Sequence, residues 1–202
     1  MSYWSGAIDD KWSNPLNWYE GVVPTVGDYV SVYGPNPLDI DVDVNVGYIS
    51  IGNNAPSVKF NNRTIQCTTE FYDDTSASNV IDSGTSTIII GSSATSAIDD
   101  WADIQLKYAI LDKVITYGNA NFTRPAPNIF KPNETYQARI KTSLVCHTKL
   151  YIYSYNQPVY IDCPFIDLRN CVIVENYNLV KYFKVGTTIL ARNNIIDSTY
   201  FR

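Results

Sequence analysis

The sequence predicts an all-β fold, built either as a β-solenoid or as a β-sandwich of the jelly-roll kind. Three observations support this prediction: the composition, a hydrophobic alternation with the period of a strand, and turns rich in Asn. The 202 residues include 16 Tyr and 1 Met, and segments rich in Ala, Leu, Glu and Lys are few. Aromatic and β-branched residues favour strands, whereas Asn, Ser and Gly favour the turns that join them.

The bulk numbers predict a packed chain and disfavour several partners. Apolar residues make up 45% of the sequence and charged residues 17%, which is typical of a globular protein. With a net charge of −5 and scattered Lys and Arg, we expect no nucleic-acid partner. No run reaches the roughly twenty apolar residues of a membrane helix, so no membrane insertion is expected. The first residues show no basic region followed by an apolar run, and no signal peptide is predicted.

The first part of the chain is predicted to be a compact cap, residues 1–35. Trp4, Trp12 and Trp18 are spaced by Gly, Asp, Asn and Pro, so they fit neither a regular helix nor a long strand. Each indole covers a large apolar area and has an N–H group that needs an acceptor. We therefore expect the three indoles to close one end of the fold, with Pro24 and Asp28 as further cap residues.

The clearest alternation follows at Asp39–Val46, where every second residue is apolar. One strand is predicted there, with a core face and a solvent face: Ile40, Val42, Val44 and Val46 face inwards, while Asp39, Asp41, Asp43 and Asn45 face outwards. Alternate residues lie roughly 6.6 Å apart, too far for two carboxylates to share one calcium ion easily. The three Asp are therefore weak metal candidates, and an acidic face that protects a strand edge is the favoured interpretation.

Strands are expected along the rest of the chain. Thr87–Gly91 has no alternation and is interpreted as a strand buried on both faces. The segment 101–115 fits a helix or strands, and its β-branched residues favour strands. The predicted regions are a β-solenoid-like part at 36–123, a Pro-rich loop or linker at 124–132, and a C-terminal β region at 133–202.

No convincing active site is predicted, and we expect neither catalytic residues nor a cofactor. The single histidine, His147, directly follows Cys146, and neighbouring residues on a strand point to opposite faces. Four cysteines lack CxxC spacing and are expected to be free thiols, namely Cys67, Cys146, Cys163 and Cys171. The enzymatic alternative is a polysaccharide lyase or hydrolase that uses three carboxylates near Trp101, those of Asp99, Asp100 and Asp103.

The most suggestive surface feature is a tyrosine cluster near position 155. Tyr151, Tyr153 and Tyr155 alternate with Leu150 and Ile152, so the three tyrosines are expected to share one face. Tyr160 is a further candidate for that face. Exposed tyrosines can anchor a protein interface or stack on sugar rings. The alternative is a ladder of tyrosines packed across strands within one subunit.

The N-terminal pattern also resembles a known motif. Its spaced Trp, Gly, Pro and Asp residues are Trp4, Trp12-Ser13, Asn17-Trp18, Gly21, Val23-Pro24, Gly27-Asp28 and Val30. This pattern resembles a tryptophan-rich motif of bacterial surface proteins and bacteriophage virion proteins, where it precedes a parallel β-helix as a cap. Residues 101–104, 108–111 and 114–115 are similar to rungs of right-handed β-helices. The resemblance covers residues 4–32 most specifically and implies a capped, right-handed parallel β-helix-like solenoid.

The resemblance leads to an expected function. Without a signal peptide or a cell-wall region, the phage version of the motif is favoured, and such proteins assemble in the host cytoplasm. We expect a non-enzymatic structural virion protein, a capsid decoration or head-fibre protein that forms a homo-oligomer and binds a shell or other virion proteins. The alternative is a carbohydrate-binding adhesin or tail receptor-binding module whose partner is a host surface glycan.

Overall fold

A computed structural model gives the fold of the chain. It describes residues 1–55, 57–75, 79, 81–91, 101–105, 109–117, 119–124, 139–146, 150–154, 160–161, 165–169, 172–175, 182–183, 188–192 and 195–197. Side chains are described as far as Tyr117, apart from those of 101–103, 105 and 110.

Strands dominate the described residues, and one turn of 3-10 helix at Pro15–Asn17 accompanies them. In chain order the strands are β1 (Ser2–Tyr3), β2 (Tyr29–Val32), β3 (Leu38–Asp39), β4 (Val44–Ile51), β5 (Val58–Lys59), β6 (Thr64–Asp73), β7 (Thr87–Ile90), β8 (Trp101–Gln105), β9 (Ile110–Thr116), β10 (Asn119–Arg124), β11 (Arg139–Cys146), β12 (Leu150–Ser154), β13 (Tyr160–Ile161), β14 (Phe165–Arg169), β15 (Val172–Glu175), β16 (Tyr182–Phe183), β17 (Thr188–Arg192) and β18 (Ile195–Asp197).

The strands stack in parallel ladders. Ladder A contains the first part of β4 and of β6, followed by β7, β9, β11, β14 and β17. Ladder B contains β1, β2, the second part of β4 and of β6, and then β8, β10, β12, β15 and β18. Ladder C is shorter and contains β3 and β5, with the bridges Lys11–Asp39 and Lys59–Asp82 at its two ends.

This topology is that of a parallel β-solenoid. The chain visits the ladders in turn and then repeats the circuit one rung further on, so every named strand pair among the described residues is parallel. Sandwiches and jelly rolls pair their strands mainly in antiparallel fashion, so that alternative is wrong. The predicted β-solenoid is confirmed, and the described residues of the segment 101–115 form the strands β8 and β9 instead of a helix.

Columns of apolar side chains fill the interior. In ladder B, Val30, Ile49, Phe71 and Ile104 follow one another at consecutive rungs, each at most 1% exposed. In ladder A, equivalent columns contain Ile65, Ile88 and Val114, and Val46, Cys67 and Ile90. Full burial of one such side chain contributes about 1.5–3 kcal/mol. The alternation seen in the sequence is therefore the source of the core.

The single strand predicted at Asp39–Val46 is wrong. β3 ends at Asp39 and β4 begins at Val44, and the chain turns a corner of the solenoid between them. Ile40, Val44 and Val46 are buried as expected, but Val42 lies at the corner and is 37% exposed. Alternation alone does not reveal the corner, because the bend is fixed by contacts with the cap and with the next rung.

The strand at Thr87–Ile90 is buried on one face only. Ile88 and Ile90 are completely buried, whereas Thr87 and Ile89 are partly exposed. The prediction that both faces are buried is therefore wrong. One side of each rung faces the interior of the solenoid and the other faces outwards, so a run of three Ile does not require two packed faces.

Candidate functional site

Three buried indoles form the centre of the cap. Trp4, Trp12 and Trp18 are 2%, 1% and 2% exposed. The ring of Trp18 contacts that of Trp12 edge-to-face at 4.7 Å and that of Trp4 at 5.1 Å. Edge-to-face packing places the positive edge of one ring against the negative face of another. The indoles therefore act as one apolar unit that is continuous with the solenoid core.

The indole cluster is tied to the first rungs by hydrogen bonds. Trp18 Nε1 donates to the carbonyl of Trp12 at 2.9 Å, and Trp4 Nε1 donates to the carbonyl of Asn36 at 3.3 Å. The backbone N–H of Trp12 donates to the carbonyl of Asp39 at 2.8 Å. These bonds satisfy polar groups that burial would otherwise leave without water, and they fix the cap on the strands it covers.

A fully buried asparagine organises the turn between the indoles. Asn17 Oδ1 accepts from the N–H groups of Ile8 and Asp9, and Asn17 Nδ2 donates to Asp9 Oδ1 and to the carbonyl of Lys11. The N–H of Lys11, the amide of Asn14 and that of Asn17 lower the pKa of Asp9. From the sequence, Asn17 is expected only to form a turn. Its position directly before Trp18 is the only local sign that its side chain also organises the cap.

The segment with Pro24 and Asp28 joins the cap to β4. Pro24 is buried, and the carboxylate of Asp28 accepts from the N–H of Thr25 at 2.7 Å and from its hydroxyl at 3.2 Å. The carbonyl of Asp28 accepts from the N–H groups of Gly47 and Tyr48. A Cβ at Gly47 would lie 2.9 Å from the carbonyl oxygen of Gly27. Gly47 thus permits the close approach of this turn.

The three aspartates of the predicted acidic face have separate partners. Asp39 accepts from the Asn61 side chain, Asp41 from the N–H and hydroxyl of Ser13, and Asp43 from the N–H of Thr64. No group of three potential metal ligands occurs within the described part of the chain. Burial alone would raise the pKa of Asp41, but the hydrogen bonds from Ser13 outweigh it and lower that pKa. These carboxylates hold corners of the fold.

Exposed apolar side chains are concentrated on the cap. Among the side chains described, which extend to Tyr117, every exposed large apolar residue lies within the first 42 positions, and all but Tyr29, Tyr33 and Val42 lie in the part of the cap that precedes β2. Those that are more than half exposed are Met1, Ile8, Leu16, Tyr19, Val22 and Val26. Such a concentration on one part of a protein is typical of an interaction surface.

A second aromatic group lies on the outer side of ladder B, and we call it the tyrosine face: Tyr29, Tyr33, Tyr48 and Tyr72. Tyr29 and Tyr48 are register partners whose ring centroids are 5.6 Å apart at 33°. On the next rung, Glu70 pairs with Tyr48, and Tyr72 pairs with Ser50. The inward neighbours of these residues are the buried Val30, Ile49 and Phe71, so the tyrosines face outwards.

Tyr33 has the most constrained position on the tyrosine face. Its ring lies on Gly52, where an added Cβ would overlap the ring atoms. Its hydroxyl forms a 2.9 Å hydrogen bond with the hydroxyl of Ser50, and Ser50 itself is 3% exposed. Tyr33 nevertheless remains 41% exposed. One side of the ring is therefore supported by the sheet, while a large part of the side chain is open to solvent.

The phenol of Tyr48 lies at the centre of this group. Partial burial raises its pKa, a hydrogen bond with Ser50 opposes that rise, and the neighbouring Glu70, Tyr33 and Tyr72 add to it. Tyr48 is therefore neutral at physiological pH, and the Glu70 carboxylate lies close enough to act on its phenol.

The tyrosines predicted near position 155 lie beyond the described side chains. Tyr151 and Tyr153 belong to β12, and Tyr160 belongs to β13, whereas Tyr155 lies outside the described residues. Through successive register partners, Tyr151 occupies the same position of ladder B as Tyr48, and Tyr153 the same position as Tyr72. Tyr151 and Tyr153 of the predicted surface thus belong to the same ladder as the tyrosine face, whereas Tyr160 pairs with Tyr182 in the separate β13–β16 pair.

The histidine, cysteines and aspartates that the sequence singled out also lie partly inside and partly outside the described residues. His147, Cys163 and Cys171, with Asp99 and Asp100, lie outside the described residues. Cys146 ends β11, and Asp103 lies in β8, and nothing is described of either side chain. Cys67 is a free, fully buried thiol, and burial raises its pKa strongly.

Comparisons with protein-family models, with curated proteins and with solved structures find no match to this chain. The described residues contain no helix with the length and apolar character needed to cross a membrane. The fold and surface define the class: a parallel β-solenoid with an indole-filled cap at its N-terminal end. Its distinguishing feature is a row of outward-facing tyrosines along one ladder.

Proposed function

We propose that this chain is a structural virion protein, a capsid decoration or head-fibre protein, that attaches through the outer surface of its cap to a shell or to another virion protein. The observation that carries the proposal is the concentration of exposed apolar side chains on the cap. The resemblance of the tryptophan-rich opening to phage virion proteins supports the virion as its setting.

The physical argument concerns exposed surface. Leu16, Tyr19, Val22 and Val26 are each 59% exposed or more, so water contacts most of their apolar area. Covering such area against a partner is favourable by about 25 cal/mol for each Å². The indoles beneath these residues are already packed and bonded, so the cap needs no rearrangement to present the surface.

The first test is the composition of the particle. Virions purified from the natural source of the chain are analysed by mass spectrometry after a density gradient and a high-salt wash. The proposal predicts that peptides of this chain co-purify with the shell proteins. Their absence from the particles would overturn it.

The second test locates the attachment surface. The variant Leu16→Ser/Tyr19→Ser/Val22→Ser is expected to remain folded and to lose co-sedimentation with particles that lack the native chain. The matched control Lys59→Ser/Arg63→Ser changes exposed residues of the solenoid and is expected to bind like the natural chain. Equal binding by both variants would contradict attachment through the cap.

A further inference from the structure

We propose that the tyrosine face contains a saccharide-binding site, in which the ring of Tyr33 is the stacking platform for a neutral sugar and the groups around Tyr48 hydrogen-bond to its hydroxyls. The inference goes beyond the virion proposal, because a sugar at Tyr33 does not depend on attachment through the cap.

The first step is the preorganisation of Tyr33. A free tyrosine side chain loses rotamer freedom when it binds a ligand, and this loss weakens binding. Here the ring lies on Gly52 and its hydroxyl is bonded to Ser50, so its orientation is set before any ligand arrives. The apolar face of a pyranose ring matches a flat aromatic surface of this size, with the C–H groups of the sugar against the π-system.

The second step is the set of polar groups beside the platform. Tyr48, Tyr72 and Glu70 are all partly exposed, and Glu70 and Tyr72 occupy the rung next to Tyr48 and Ser50. Phenol hydroxyls both donate and accept hydrogen bonds, so Tyr48 and Tyr72 can pair with the hydroxyls of a sugar. The rungs that carry these groups are about 4.8 Å apart, so groups on both rungs are within reach of one sugar.

The third step is charge, which selects among ligands. The carboxylate of Glu70, on the rung next to Tyr48, acts on the Tyr48 phenol and adds to the rise of its pKa. An anionic polysaccharide or a phosphate group would be repelled by this carboxylate. An organic cation would be attracted, but Tyr29 and Tyr48 lie side by side on neighbouring strands with their planes inclined by 33°, so they do not form the facing walls of a cation cage. A neutral saccharide is therefore the ligand that fits.

The experiment titrates the whole chain with cellohexaose, maltohexaose, chitohexaose and hexagalacturonate, and with choline, by calorimetry and by saturation-transfer NMR. We expect at least one neutral hexasaccharide to bind with magnetisation transfer from tyrosine protons to its ring C–H groups, while hexagalacturonate and choline do not bind. Binding of none of the neutral sugars, or tighter binding of hexagalacturonate or choline, overturns the proposal.

Matched variants locate the site. Tyr33→Ala is expected to weaken binding by about tenfold or more, which corresponds to one missing stacking contact, and Gly52→Ala to weaken it by pushing the ring off its support. Tyr33→Phe keeps the ring and is expected to retain binding within a few-fold.

The control Tyr19→Ala removes a more exposed tyrosine from the cap and should leave binding unchanged. Equal binding by Tyr33→Ala and Tyr19→Ala overturns the site even if a sugar binds. Particle attachment is measured separately, so failure of either proposal is recognised independently.

Discussion

The two aromatic groups of this protein differ in how far their rings are buried. In the cap, three indoles are at most 2% exposed and pack edge-to-face at 4.7 and 5.1 Å. On the tyrosine face, Tyr29 and Tyr33 are 49% and 41% exposed. The difference lies in which direction the backbone points the ring. Cap residues lie over the open end of the core, whereas the tyrosines occupy outward positions of ladder B.

Aromatic content alone therefore does not distinguish a core from an exposed surface. The indole N–H groups are satisfied by carbonyls inside the protein. The hydroxyl of Tyr33 is tied to Ser50 while much of its side chain remains in contact with water.

The largest effect is expected for Trp12→Ala. Trp12 is 1% exposed and contacts Trp18 directly, so its removal leaves a cavity at the end of the core. We expect the free energy of unfolding to fall by about 3–5 kcal/mol, measured by urea denaturation. Tyr19→Ala, at a residue that is 77% exposed, should change it by no more than about 0.5 kcal/mol. Similar losses for the two variants would remove the distinction between the groups.

The next effect is expected at the junction between cap and solenoid. In Gly47→Ala the new Cβ meets the backbone of Gly27 and Asp28 at 2.9–3.1 Å, and backbone cannot move aside cheaply. Unfolding should become easier by about 1–3 kcal/mol. Gly34→Ala is the matched control, because its Cβ would lie 3.4 Å from the nearest atom. If both variants melt at the temperature of the natural chain, the turn does not dock as described.

A smaller and pH-dependent effect is expected for Asp41→Asn. The pKa of Asp41 is lowered in the folded chain, since its bonds from Ser13 outweigh the opposing effect of burial. A carboxyl whose pKa falls on folding adds stability above its unfolded pKa of about 3.9, and this stability is lost as the pH falls through the lower folded value. At pH 7 we expect a loss of about 1 kcal/mol, because the site is largely solvated. The difference from the natural chain should vanish at low pH, and a difference independent of pH would contradict this role.

The smallest effect is expected for Tyr29→Ser on the tyrosine face. Tyr29 is half-exposed and contacts Tyr48 at 5.6 Å, so little buried area is lost. Thermal unfolding should show a change of about 0.5–1 kcal/mol. A loss as large as that of Trp12→Ala would mean that the tyrosines are part of the core.

The sequence predicted the class of fold because its dominant signals are local. Neighbouring residues are enough to predict the apolar alternation at Val44–Val46 and at Thr64–Cys67, and also the Asn turn between Phe60 and Arg63. Asn61 and Asn62 in that turn adopt φ angles of 48° and 60°. The corner at Val42 did not follow in this way. It depends on the contact of Asp41 with Ser13, 28 positions earlier.

The tyrosine face was missed for the same reason. Tyr29, Tyr33, Tyr48 and Tyr72 are scattered over more than forty positions of the sequence, and only the register of β2, β4 and β6 brings them together. The support beneath Tyr33 is a glycine that looks like an ordinary turn residue in the sequence. By contrast, the tyrosines of β12 alternate within a few positions, so a pattern search finds them first.

The most direct test of this division between cap and face is hydrogen exchange on Trp12→Ala and Tyr33→Ala, compared with the natural chain. We predict that Trp12→Ala accelerates exchange of the amides in β2 and β4, since the end of the core is opened, while Tyr33→Ala leaves the protection of those strands largely intact. Unchanged protection in Trp12→Ala, or equal loss in both variants, would contradict the account.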